Sequence, residues 1–171
     1  MPDLLDGARA VGKVLSRAAY GLVAGWHASR TLDKSGTTAY VCGMYTGKHK
    51  VHTGRVEALN IATNQFTSVA MLGFQQCAQI AVSPDEHHLA ATGLASNQPV
   101  NVDVVRLSDD HVASADVNAG EFGAGVVFGP DSGDIYLQDG SNLSTLDTVT
   151  LNLEENIPLE SVSSTAAPLI L

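Results

Sequence analysis

The chain is poor in aromatic side chains, in basic residues and in cysteine. One Trp, four Tyr and four Phe stand against sixteen Gly. Any core must therefore be built from small aliphatic side chains, with many turns between short elements. Lys and Arg number 9 against 18 Asp and Glu, a formal charge of −9. That balance argues against nucleic acid as a partner, because phosphates require Lys and Arg, and against electrostatic docking on anionic membranes. Two cysteines, Cys42 and Cys77, are too few for a disulfide scaffold or a four-thiolate zinc site. They could form one bridge, but the expected state is two partly buried thiols, since free Cys is often buried. No stretch of about 18 apolar residues occurs, so no transmembrane helix is predicted.

The chain does have enough apolar residues to fold: 44% are apolar and 16% charged, the composition of a globular domain rather than a disordered one. Residues 3 to 24 have helical spacing, with Leu4, Leu5, Ala8, Val11, Val14, Leu15, Ala18 and Leu22 forming an apolar stripe. Arg9, Lys13 and Arg17 form a separate basic stripe. This segment is expected to pack as a helix on the exposed side of the first repeat unit. The sharper alternative is a helix that docks on a partner or a membrane surface. The basic residues before the apolar run 18–25 loosely resemble a secretory signal. Asp3 and Asp6 stand where such a signal would be basic. The cytoplasm is therefore favoured, with a secreted or periplasmic chain as the alternative.

From residue 28 onward the sequence repeats. "TLDKSGTTAYV" (31–41), "AVSPDEHHLAA" (81–91) and "VFGPDSGDIYL" (127–137) share one pattern. An apolar residue (Leu32, Val82, Phe128) precedes a polar turn, and an apolar triplet follows it. Pro84-Asp85 and Pro130-Asp131 suit that turn, because Pro presets φ and Asp bonds back to the backbone. A second strand–turn–strand unit follows each copy, at 55–72, 101–117 and 142–159, with its turn at Thr63-Asn64, at Ser108 to Asp110 and at Asn152 to Asn156. Three units of four strands at this spacing predict three propeller-type blades. Twisted four-stranded sheets bury their faces by stacking. The fold class is all-β, a partial β-propeller of about three antiparallel blades with an N-terminal helix. Its segments are 1–27 (helical), 28–160 (repeats at about 28–72, 73–117 and 118–160) and 161–171, a tail that supplies at most one strand of a further blade.

"AVSPDEHHLAATG" and "RVEALNIATNQFTSVAML" resemble the YVTN/lactonase-like β-propeller repeat. "AYVCG" and "IYLQDG" stand where that family has its "YVTN". The resemblance covers about residues 28 to 153 and implies a propeller and, at its furthest, a lactonase-like hydrolase. Three units depart from the family pattern, since propellers have four to eight blades. Ring closure would need further blades, from a longer protein or from other copies; an open stack or an incomplete fragment without its own function are the other readings.

In such a meander the turns within each hairpin pair fall at one end, and the b–c and d–a loops fall at the other. Longer loops on a rigid scaffold tend to carry function, so the loop end is where a site is expected. Asp85, Glu86, His87 and His88 lie at the opposite, turn end and read as a polar turn. His49 and His52, three apart in "KHKVH", are the metal candidates; with Glu121 they are the catalytic candidates under the hydrolase reading. Lys48 and Lys50 beside them favour an anionic ligand. Gln75, Gln76, Asn97, Gln98 and Asp139 are the remaining polar candidates for ligand binding on that face. The sequence has no G-x-S-x-G elbow, no phosphate-binding loop and no haem-attachment motif, and no cofactor is expected. The function read from the sequence is a non-catalytic interaction or assembly module, its partner a further copy of itself or another protein. Lactonase-like hydrolysis is the alternative.

Overall fold

The computed structural model describes residues 29–46, 52–94, 100–119, 125–138 and 142–159. The expected helix over 3–24 and the tail at 161–171 lie outside the described residues. Among the described residues, twelve strands form three separate four-stranded antiparallel sheets. Blade 1 contains β1 (Ser29–Leu32), β2 (Thr38–Thr46), β3 (His52–Asn60) and β4 (Gln65–Met71). Blade 2 contains β5 (Gln76–Val82), β6 (His88–Leu94), β7 (Val100–Arg106) and β8 (His111–Ala119). Blade 3 contains β9 (Gly125–Phe128), β10 (Asp134–Gln138), β11 (Asn142–Asp147) and β12 (Leu153–Pro158). Each sheet is a meander in sequence order. Strand β1 packs beside β5, and β5 beside β9, so the first strand of each blade is the inner one.

Each described hairpin turn carries one residue in the left-handed region. In the first turn of each blade it is Gly36, Glu86 and Ser132; in the second it is Asn64, Asp110 and Leu151. The repeat seen in the sequence is thus a repeat of backbone conformation. Asp33 accepts hydrogen bonds from the Thr38 N–H (3.0 Å) and from the Ser35 and Thr37 hydroxyls. Two residues further into their turns, Asp85 and Asp131 accept from the His87 and Gly133 N–H groups, and Ser83 Oγ takes the place of the Asp33 carboxylate by accepting the His88 N–H. One turn departs from the expected place. The last is not at Asn152–Asn156 but follows Asp147, whose Oδ1 accepts from the Val149 and Thr150 N–H groups. An Asp that can cap two amides sets the turn four residues earlier, and 153–158 become an edge strand able to end on Pro158.

Two apolar clusters join the blades. Cys42, Val56 and Ala70 of blade 1 meet Cys77, Ile80, Leu89, Ala91 and Val105 of blade 2. Ala90, Val102, Val104 and Val117 of blade 2 meet Phe128, Ile135, Leu137 and Leu146 of blade 3. Alternation along each strand sends successive side chains to opposite faces, so blade 2, the middle sheet, is covered on both. Between blades 1 and 2 the Phe74 ring fits over bare backbone. A Cβ on Gly93 would stand 2.2 Å from that ring, and one on Gly54 would stand 3.0 Å from it. The expected free thiols are not found: Cys42 and Cys77 form a disulfide, with Cα atoms 5.9 Å apart, within the range a disulfide spans. Stacking brings strands β2 and β5 together, which the 35-residue separation in sequence did not reveal.

Candidate functional site

The turn end of the molecule is held by hydrogen bonds from blade to blade. The Lys34 N–H donates to Glu86 Oε1, and the Asp85 N–H donates to Ser132 Oγ at 3.1 Å. Within blades, the Ile61, Leu107 and Thr148 N–H groups reach Thr37, His87 and Gly133 carbonyls. These bonds place both kinds of hairpin turn at one end, as the meander requires. Burial alone would raise the Asp85 carboxyl, but the Ser83 hydroxyl, the His87 N–H and the two histidines together lower it. His87 Nδ1 stands 3.3 Å from Asp85 Oδ2 and is exposed. His88 opens β6 instead, and its buried Nδ1 has no hydrogen-bond partner among the described residues. The Asp-Glu-His-His run is therefore divided between a turn and a strand. No group of three metal-ligating side chains converges among the described residues. An open cleft of about 320 Å³ lies at this end, lined by Leu32, Lys34, Val82, Ser83 and Pro84.

Of the candidate site residues singled out in the sequence, three are described: His52, Gln75 and Gln76. His49, Glu121, Lys48, Lys50, Asn97, Gln98 and Asp139 lie outside the described residues. His52 is described, and it opens β3 rather than sitting in a loop. Its partner in register is Thr46, whose Oγ1 lies 3.1 Å from His52 Nδ1. Strand pairing runs further into "GMYTGKHKVHTG" than its polarity suggests, because pairing satisfies backbone groups that would otherwise need water. Gln76 opens β5 and is exposed, while the Gln75 N–H donates to the Leu94 carbonyl at 3.1 Å.

A buried carboxylate that the sequence reading passed over lies at the junction of blades 1 and 2. Asp103, in the middle of β7, has no exposed surface. Its Oδ2 accepts the Gly73 N–H at 2.6 Å, and its Oδ1 has no hydrogen-bond partner among the described residues. Burial raises this carboxyl, and the Ser114 hydroxyl and Gly73 N–H only partly counter that. The register-equivalent residues of the other blades are Glu57 and Ser144. Both are buried and polar, and Glu57 pairs with Arg55 at 2.7 Å. The signal was a single carboxylate inside the apolar run "VDVV".

The two terminal sheet faces are the other surfaces of note. Of the eight large apolar residues exposed among those described, Tyr45, Phe66 and Met71 belong by register to the outer face of blade 1, and Val127 and Ile157 to that of blade 3. On blade 3 they flank Tyr136, whose hydroxyl donates to Asp134 Oδ2 at 3.4 Å. The charge of Asp134 raises the Tyr136 phenol above its usual range, helped by burial and by Asp131 and Glu155. This face is apolar and acidic together. On blade 1 the Arg55 guanidinium lies over the Tyr45 ring at 5.1 Å.

No protein-family model matches the chain, and no curated protein sequence matches it. Solved structures do. TolB from Acinetobacter baumannii matches with a TM-score of 0.61 at 13% identity, over 80% of this chain and 33% of that one. The β-propeller domain of the Trilobed protease from Pyrococcus furiosus matches with a TM-score of 0.54 at 13% identity, over 81% and 45%. A putative 6-phosphogluconolactonase from Bacteroides fragilis matches with a TM-score of 0.52 at 15% identity, over 77% and 38%. The chain thus spans less than half the length of these structures. At such identities the likeness shows the fold alone: an all-β, β-propeller-like repeat of three four-stranded antiparallel sheets.

Proposed function

We propose that the chain is a non-catalytic, β-propeller-type interaction or assembly module that binds protein through the outer face of blade 3. The observation that carries this reading is the exposure of Val127 (57%) and Ile157 (45%) on a sheet face whose counterparts in blades 1 and 2 are each covered by the next blade. An uncovered apolar sheet face is an association surface. The carboxylates of Asp134 and Glu155 disfavour pairing with an identical face across a twofold axis. They favour an apolar surface that carries Lys or Arg, on a second copy or on another protein. The lactonase-like alternative draws on the YVTN-type repeat and on His49, His52 and Glu121. Of those three only His52 is described, and it is engaged with Thr46.

Light scattering on a sizing column, with the full chain at several concentrations, tests the assembly form of the proposal. A mass above 17.8 kDa is expected, falling to one chain in Val127→Asp and on raising salt, which screens the exposed carboxylates. Val127 is exposed, so its replacement should change stability by no more than about 0.5 kcal/mol. A concentration-independent monomer overturns self-assembly.

A further inference from the structure

The outer faces of blades 1 and 3 are the two halves of a contact that the chain makes twice within itself. Strand register aligns the three sheets. Ala39–Leu59, Leu89–Val105 and Ile135–Leu146 are equivalent pairs. Leu32, Val82 and Phe128 on the inner strands are equivalent as well, each opposite the first member of its pair. Val82, Leu89 and Val105 pack on blade 1, and Phe128, Ile135 and Leu146 pack on blade 2. This side of a sheet therefore receives the preceding blade. Blade 1 has the same side, carrying Leu32, Ala39 and Leu59, and no sheet precedes it among the described residues. Leu32 is 42% exposed where its counterpart Phe128 is 7% exposed. Blade 3 has the opposite side, with Val127, Tyr136 and Ile157, and no sheet follows it among the described residues. Leu59 and Thr145, on the central strands of these two faces, are buried, so the exposed apolar groups lie around them.

The open halves differ from the internal ones in charge. Arg30 is exposed on the Val41 side of blade 1, at the place where blades 2 and 3 have Ile80 and Val126. Arg55 is on that side too, over the Tyr45 ring. Asp134 and Glu155 are on the open side of blade 3. We infer that the outer face of blade 3 in one copy seats on the outer face of blade 1 in a second copy, in the arrangement that successive blades have within the chain. This names the partner surface of the assembly reading and rests on it. Leu32, Val127 and Ile157 supply the apolar part, and Arg30 and Arg55 oppose Asp134 and Glu155. Pairing either face with its own copy would instead set like charges together. The contact uses a different face on each copy, so it is heterologous and either closes a ring or runs on as a filament. Two copies bring six blades, within the four to eight of propellers, so closure is expected at two.

Complementation between two blocked variants of the full chain tests this. Leu32→Asp blocks the face of blade 1, and Val127→Asp blocks that of blade 3. Both residues are exposed, so each variant should keep the urea midpoint of the parent. Light scattering on a sizing column should give the parent at twice 17.8 kDa and each variant alone at one chain. An equimolar mixture of the two variants should regain a two-chain species, because it offers one intact face of each kind. Arg30→Glu should raise the dissociation constant of the parent assembly by about tenfold or more. An assembly that Val127→Asp dissociates and Leu32→Asp does not overturns the inference but leaves the blade 3 reading standing, since that face then meets something other than blade 1. An assembly that Val127→Asp leaves intact overturns both. Folded, monomeric variants that do not combine, at the highest concentration at which each alone is one chain, overturn the inference. So does a parent that is one chain at every concentration, or a dissociation constant that Arg30→Glu does not move.

Discussion

At the scale of single residues, Asp103 is the group out of place. Its neighbours in β7, Val102, Val104 and Val105, are buried hydrophobics, and the carboxyl between them is raised above its usual value by burial. The folded state therefore keeps the proton to a higher pH than the unfolded chain, and ionisation weakens the fold. The penalty is absent below the ordinary carboxyl value of 3.8, grows as pH rises, and is complete above the raised value. Asp103→Asn keeps an oxygen for the Gly73 N–H and carries no charge. Its stability should match the parent near pH 4 and exceed it at neutral pH by on the order of 1 kcal/mol, read from urea midpoints across the pH range. A difference that does not vary with pH would show that charge is not the cause. Asp33, Asp85 and Asp147 act in the opposite sense. Their carboxyls are lowered, so the turns they close weaken as pH falls through those values.

At the scale of elements, the repeated hairpin is local chemistry and the way the blades meet is not. Each turn uses an Asp or Asn that accepts from amides two to five residues ahead, and a residue able to take positive φ. Asn60, Asp147 and Asp33 illustrate the first requirement, and Gly36 and Asn64 the second. Blade 2 breaks the rule at Arg106 and recovers it through Asp109, which takes the guanidinium at 2.8 and 2.9 Å and the His111 N–H at 3.3 Å. The linker from β4 to β5 works by shape: Phe74 sits where Gly54 and Gly93 have no side chains. Gly93→Ala should cost about 2–3 kcal/mol, because the added methyl meets both the ring and the Gln76 carbonyl. Thermal unfolding would show it as a lower Tm. A shift of less than about 0.5 kcal/mol, the size expected of a surface change, would mean the ring moves freely.

At the scale of the whole molecule, three sheets hold together through two apolar layers and one covalent link. The disulfide joins the second strand of blade 1 to the inner strand of blade 2. Closing a loop of that length is worth about 3–4 kcal/mol in the chain-entropy account. Replacing both cysteines by serine should lower the urea midpoint by about that energy, and reduction of the parent should do the same once the buried bond is reached. A parent whose thiols react fully with a labelling reagent under native conditions would rule out the bond. A structural disulfide also bears on compartment, since such bonds persist where the surroundings are oxidising.

The blades, the order of the strands and every described turn but the last were legible in the residues alone, because each depends on contacts between neighbours in the chain. Leu32, Val82 and Phe128 end the inner strands as their positions before the turns implied, and the Pro-Asp pairs mark the turns. The candidate site was much less legible. His52, polar and flanked by glycine-containing sequence, reads as a loop residue until the register with Thr46 shows it paired. Asp103 reads as one polar position in a strand until stacking removes water from both of its faces. Cys42 and Cys77 read as two thiols until β2 and β5 come side by side. The sequence by itself thus determined local backbone conformation, which short-range hydrogen bonds and side-chain alternation set. Only the tertiary structure decided which groups meet, which are buried and which sheet faces stay open, because these depend on residues tens of positions apart being brought together as the sheets stack.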